Sequence, residues 1–247
     1  MPEPAAQLEV RDSNLEPRTS RLQTSSWRIA LAVLQRDFRI EFRTREALLA
    51  MAFYALLVLI IFSFAFSANA ALTLQVGGGL LWVAILFAAL VALDRSFLRE
   101  SGGASLIGLQ ISPASRAAIL TGKFAASFLL MLALEVILLP LFAVLFNAPR
   151  AANWGGIILT ALLGTWALAA NGTYFSAMSA QTRQRSLLLP LLLLPVSIPA
   201  ILAMVQATQV YLAGSGMANY WLKLLLGYDV IFTALGLLLA DMVLEVE

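Results

Sequence analysis

Six long apolar stretches, separated by short polar breaks, fill nearly all of the chain after residue 46, and this narrows the fold more than any other feature. They run over Ala47–Phe66, from Val76 to the charged pair Asp94–Arg95, then over Phe124–Phe146, Trp154–Met178, Leu187–Val205 and Leu222–Val243. Each is long enough to cross a hydrocarbon core about 30 Å thick, which takes roughly 20 residues of helix. Inside lipid every backbone N–H and C=O must be satisfied within the segment or its neighbours, so runs of this length read as helices. Charged residues make up 12% of the chain and apolar residues 61%, against roughly 25% charged in an average soluble domain. The expected fold is an all-α, polytopic membrane protein with six transmembrane helices.

Residues 1–26 are polar, with Pro2, Pro4 and Pro17, and lack the apolar core and small-residue cleavage site of a signal peptide; they are expected to be a disordered cytoplasmic tail. From 27 to 46, Trp27, Ala30, Leu31, Leu34, Phe38 and Phe42 fall at helical spacing with five arginines between them. That pattern predicts an amphipathic interfacial helix. Residues 47–247 then form the transmembrane domain. Cytoplasmic segments retain Lys and Arg, and the cations divide unevenly between the breaks. The N-terminal segment holds eight, the break 94–123 four, and the break 179–186 two, so fourteen of the sixteen fall on one side of a six-span arrangement. Only Arg150 and Lys223 fall on the other. Both termini are therefore expected in the cytoplasm.

The break 94–123 is the longest between spans, and a loop of that length calls for a reason. Its centre, Ser105 to Pro113, is apolar, opens on a serine able to cap a helix and closes on a proline. A short helix parallel to the membrane is expected. In transporters driven by a separate ATPase such a helix fits a groove of the nucleotide-binding subunit; the alternative is an interfacial helix that only closes the loop. The candidate coupling residues are Asp94, Arg95, Phe97, Arg99, Glu100, Leu106, Leu109 and Pro113. The fifth span carries Pro190, Pro195 and Pro199, each of which removes a backbone bond, so this helix is expected to be kinked, as a hinge or as a fixed bend. Glu135 lies mid-span, where a charge costs on the order of 3 kcal/mol, and is read either as functional or as a helix–helix hydrogen-bonding group. Asp229 is placed near the outer end of the sixth span. Gly77–Gly78–Gly79 and Gly155–Gly156 with Gly164 suggest close helix approach.

The chain contains no cysteine and no histidine, which removes the usual ligands of zinc, haem iron and copper and most nucleophile–base pairs. No cofactor, metal or catalytic residue is assigned. Gly122–Lys123 is followed by Phe124 and belongs to no P-loop, so ATP hydrolysis, if it drives this protein, is expected in a partner. The net charge of +2 resides in arginines next to the membrane and is not read as nucleic-acid binding.

Several segments together resemble the CcmB family, the haem exporter protein B permeases of cytochrome c maturation. They are Arg36–Asp37–Phe38–Arg39–Ile40–Glu41–Phe42–Arg43, then Gly79–Leu80–Leu81–Trp82–Val83–Ala84 leading to Leu93–Asp94–Arg95–Ser96–Phe97, then Leu188–Leu189–Pro190 through Ile198–Pro199, and Tyr228–Asp229–Val230–Ile231–Phe232. The resemblance implies an ABC-2-type permease-like fold in the bacterial inner membrane. It also implies an ATP-binding subunit (CcmA-like), a haem-handling membrane subunit (CcmC-like) and a small membrane subunit as partners, with the phospholipid bilayer around them. One departure is that the segment Gly103–Leu109, often acidic in the family, is uncharged here. The alternatives are an ABC-2-type permease for another cargo, such as a lipid, polysaccharide or drug, and a non-transporting membrane scaffold. An intramembrane enzyme is a more distant reading, since only Glu135 offers itself.

Overall fold

The computed structural model describes residues 26–66, 70–98, 116–149, 151–179 and 185–240. Over these, the chain forms seven helices: α1 Ser26–Thr44, α2 Glu46–Ala65, α3 Ala70–Leu98, α4 Arg116–Leu145, α5 Trp154–Ser179, α6 Arg185–Leu212 and α7 Asn219–Leu238. Six of them, α2 to α7, are long and apolar enough to cross a membrane. The protein is an all-α, polytopic membrane protein.

Helix α1 is set off from α2 by Arg45, whose φ of 55° and ψ of 12° lie in the left-handed region and end the first helix. Glu41 stabilises the corner: its Oε1 accepts the Leu48 backbone N–H at 2.9 Å, satisfying a donor in the first turn of α2. Helix α3 lies at the centre of the bundle and packs on α2, α4, α5 and α6, while α5 and α6 share the most extensive contact and α7 closes against both. Leu81, Trp82, Ile85 and Leu93 of α3 are fully buried. Apolar burial contributes little between helices already in lipid, so the close approach of small residues and the cross-helix hydrogen bonds carry the packing. A Cβ added at Gly78 would lie 2.8 Å from the Val205 carbonyl of α6, and one at Gly164 would strike Trp82 and Met204. Gly156 seats the ring of Tyr211 in the same way, and Gly172 seats Leu93. Gly155 meets only Asn153 of its own turn, so it marks no helix crossing.

Helix ends depart from the hydropathy pattern: α3 begins at Ala70, ahead of Val76, and runs to Leu98. Helix α4 begins at Arg116 and not at Phe124, because its first turns pack against α1 and bury Ala118, Ile119 and Leu120. Helix α6 runs on to Leu212, past Val205, because its polar residues find partners on α3: Thr208 accepts the Trp82 indole N–H at 2.9 Å inside the bundle, and Gln209 donates to the Gln75 carbonyl at 2.9 Å at its surface. Helix α7 begins at Asn219, which places Asp229 halfway along it and not near its outer end.

Candidate functional site

Two polar groups lie inside the bundle. In the first, Glu135 of α4 is 2% exposed and accepts a hydrogen bond from Thr165 Oγ of α5 on Oε1, while Oε2 has no partner among the described residues. Bare carboxyl oxygen at mid-membrane is costly, and the bond to Thr165 joins the two helices where the cost is greatest. Beside it a cleft of about 570 Å³ opens between α4 and α5, lined by Leu132, Pro140, Trp154, Ile158 and Leu162 together with Glu135. Its wall is apolar, as suits a surface facing acyl chains.

The second group ties α5, α6 and α7 together. Asn171 donates to the Tyr228 hydroxyl, and that hydroxyl donates to the Val196 carbonyl at 2.8 Å. Val196 lies between Pro195 and Pro199 of that helix. The Tyr228 hydroxyl thus ties α7 to the proline-bearing stretch of α6. Asp229 is buried next to Tyr228, with both carboxylate oxygens unpartnered among the described residues. The two acids sit on α4 and α7, which hardly touch, so they do not form a carboxylate pair.

At one end of the bundle α1 docks on the start of α4. A Cβ at Gly122 would lie 2.7 Å from the Ala30 carbonyl and 2.8 Å from Val33, so only glycine admits this approach. The adjoining Lys123 is 1% exposed, and its ammonium meets Asp37 Oδ2 at 3.3 Å; Asp37 also pairs with Arg36 at 3.1 Å. At the same end Arg95, closing α3, faces Glu46, opening α2, at 3.8 Å.

Of the candidate coupling residues, Asp94 and Arg95 fall in the last turns of α3, which also takes in the backbone of Phe97. Arg99, Glu100, Leu106, Leu109 and Pro113 lie outside the described residues, as do the polar tail and the apolar run 105–113. Pro190, Pro195 and Pro199 all lie inside α6, and Pro140, which the sequence reading passed over, lies inside α4. Thr165, Asn171 and Lys123 were likewise unremarked as polar partners. A threonine or asparagine isolated in an apolar helix was the available signal.

The description "CcmB protein" belongs to the family whose model matches residues 28–246. Among curated proteins, the chain is 34% identical over 173 residues to the heme exporter protein B of Rhodobacter capsulatus, covering 69% of this chain and 78% of that protein. It is 32% identical over 194 residues to the heme exporter protein B of Pseudomonas aeruginosa, covering 78% and 86%. For that of Bradyrhizobium diazoefficiens the figures are 31% over 185 residues, covering 74% and 82%. With a family model that takes in the whole described bundle and relatives that align along most of their length, the chain belongs to the CcmB family.

Proposed function

We propose that this chain is the membrane permease subunit of an ABC transporter complex for haem export or delivery in the biogenesis of c-type cytochromes, energised by a separate ATP-binding subunit. The observation that carries the reading is the family match over residues 28–246, together with relatives named heme exporter protein B. Six bilayer-spanning helices supply the transport architecture, and the chain is a transporter subunit, not itself an enzyme. The ATP-binding partner is CcmA-like; a haem-handling CcmC-like subunit and a small membrane subunit complete the complex. Lack of any P-loop, histidine or cysteine in this sequence supports a division of labour in which ATP and haem iron are handled by those partners.

The protein lies in the bacterial inner membrane with both termini in the cytoplasm. Arg95 and the α1 arginines, at the one end where α1 docks, support that orientation. Residues 94–123 form the coupling region. Its flanks are anchored, on one side by α3 and on the other by an α4 that is bolted to α1 through Gly122 and Lys123. A push delivered between these flanks reaches α3, which packs on α2, α4, α5 and α6, and α1–α4 as a unit. The kinked α6, with Pro190, Pro195 and Pro199, is the hinge, and Glu135 is a helix-joining acid.

The test is a detergent pull-down of the tagged chain, with bound proteins identified by mass spectrometry. An ATP-binding subunit recovered with cytochrome c maturation proteins is expected. Recovery of an ATP-binding subunit with unrelated partners would move the chain to another cargo, and recovery of none would make it a scaffold.

A further inference from the structure

Helix α1 is amphipathic in three sectors, not two. Successive residues of an α-helix advance by about 100°, so Ala30, Val33, Asp37 and Glu41 share the sector that packs on α4 and the corner with α2, and all four are wholly or largely buried. Opposite lie two adjoining stripes. One is apolar and open, with Trp27 69% exposed and Leu31 44% exposed. The other is basic, with Arg28, Arg39 and Arg43 exposed along three turns and more of helix, and Arg45 exposed at the break that follows. None of these four arginines makes an ion pair among the described residues; the pairs at this end involve Arg36, Arg95 and Lys123.

We propose that the outer face of α1 binds the headgroups of anionic phospholipids, with Trp27 and Leu31 in the acyl boundary and Arg28, Arg39 and Arg43 on the phosphates. The charge is complementary to such a surface, and among the described residues no acid pairs with it. Guanidinium groups take phosphate oxygens through paired donors. A helix with an apolar stripe flanked by arginines lies in the plane of the interface, and α2 enters the bilayer only two residues after α1 ends. The face is also pre-organised: Gly122 against Ala30, Lys123 against Asp37 and Glu41 against Leu48 hold α1 at a fixed angle, so little ordering is lost on binding. The inference rests on the interfacial placement of α1.

The full chain in phosphatidylcholine vesicles, with a trace of dansyl-labelled phosphatidylglycerol, tests it. Energy transfer from Trp27 is read as the difference between the chain and its Trp27→Phe variant. Displacement by unlabelled phosphatidylglycerol but not by phosphatidylcholine is expected, weakening as salt is raised. Replacing Arg28, Arg39 and Arg43 by Gln should lower that preference about fivefold per charge, and replacing them by Lys should keep most of it. Separately, chain-brominated phosphatidylcholine should quench Trp27. Absence of quenching overturns the placement of α1 itself. Quenching without headgroup preference, or a preference that survives the three Gln substitutions, overturns the headgroup site alone. Loss of the preference once an ATP-binding subunit is bound would give the arginines to a protein contact and overturn it too.

Discussion

Thr165 is the side chain that makes Glu135 tolerable. With Oε1 accepting from the Thr165 hydroxyl, one carboxyl oxygen is satisfied at the depth where water cannot reach it. Replacing the hydroxyl by a methyl of similar shape, Thr165→Val, leaves the carboxyl wholly unpartnered among the described residues and should cost about 1–3 kcal/mol. The measurement is denaturant-induced unfolding of the purified chain in detergent. Glu135→Gln keeps an acceptor for the same hydroxyl and should stay within about 1 kcal/mol of the parent; its loss from the membrane would instead mark an essential ion pair. Tyr228 has a parallel part across three helices, since its hydroxyl both accepts and donates. Glu135 was legible in the sequence because one acid in an apolar run breaks the pattern. Its partner was not, nor was the Asn171–Tyr228 bond, because periodicity along a helix carries no record of which polar groups face each other across two helices.

The helix most dependent on a single glycine is α1. A Cβ at position 122 would press on the Ala30 carbonyl, and backbone cannot swing aside as a side chain can. Gly122→Val should therefore lift α1 from α4 and expose Lys123, while the remaining helices keep their contacts. Hydrogen exchange read by mass spectrometry should rise at least tenfold (about 1.4 kcal/mol of lost protection) over residues 26–44 and stay unchanged over α5. Equal exchange in the variant would show that α1 is held elsewhere. In α6, Pro199→Ala restores an N–H for the Pro195 carbonyl and should stiffen the segment that Tyr228 holds. Under the hinge proposal, ATP-driven turnover of the assembled complex then falls while the chain itself becomes more resistant to unfolding; unchanged turnover makes α6 a fixed bend. All six spans could be read from hydropathy, since each must match the bilayer. Their ends could not where polar residues are satisfied within the protein: Thr208 and Gln209 look like the edge of a span and are interior to α6, and Lys123 looks like a loop cation and is buried under α1.

Seen as one body, the bundle has an end where cations gather and an end where they do not, and the long break between α3 and α4 opens at the first. Charge complementarity there governs how fast and how well a partner associates more than how the bundle folds. Arg95 is well placed to show the difference, because it is partly exposed, sits where α3 leaves the bundle, and has only a long contact with Glu46, itself exposed. Such surface pairs contribute about 0–1 kcal/mol, so losing this one leaves insertion and folding intact. Reversing Arg95 and Arg99 to Glu should then weaken co-purification of the ATP-binding subunit severalfold at low salt, with equal amounts of the chain in the membrane. Glu46→Gln is the control: it removes the same pair and leaves the cations in place, so it should not weaken the complex. If it weakens the complex as much as the reversal does, the effect is that of the α2–α3 pair, and the coupling proposal loses its basis at Arg95. If neither change alters co-purification, the assignment of residues 94–123 as the coupling region fails.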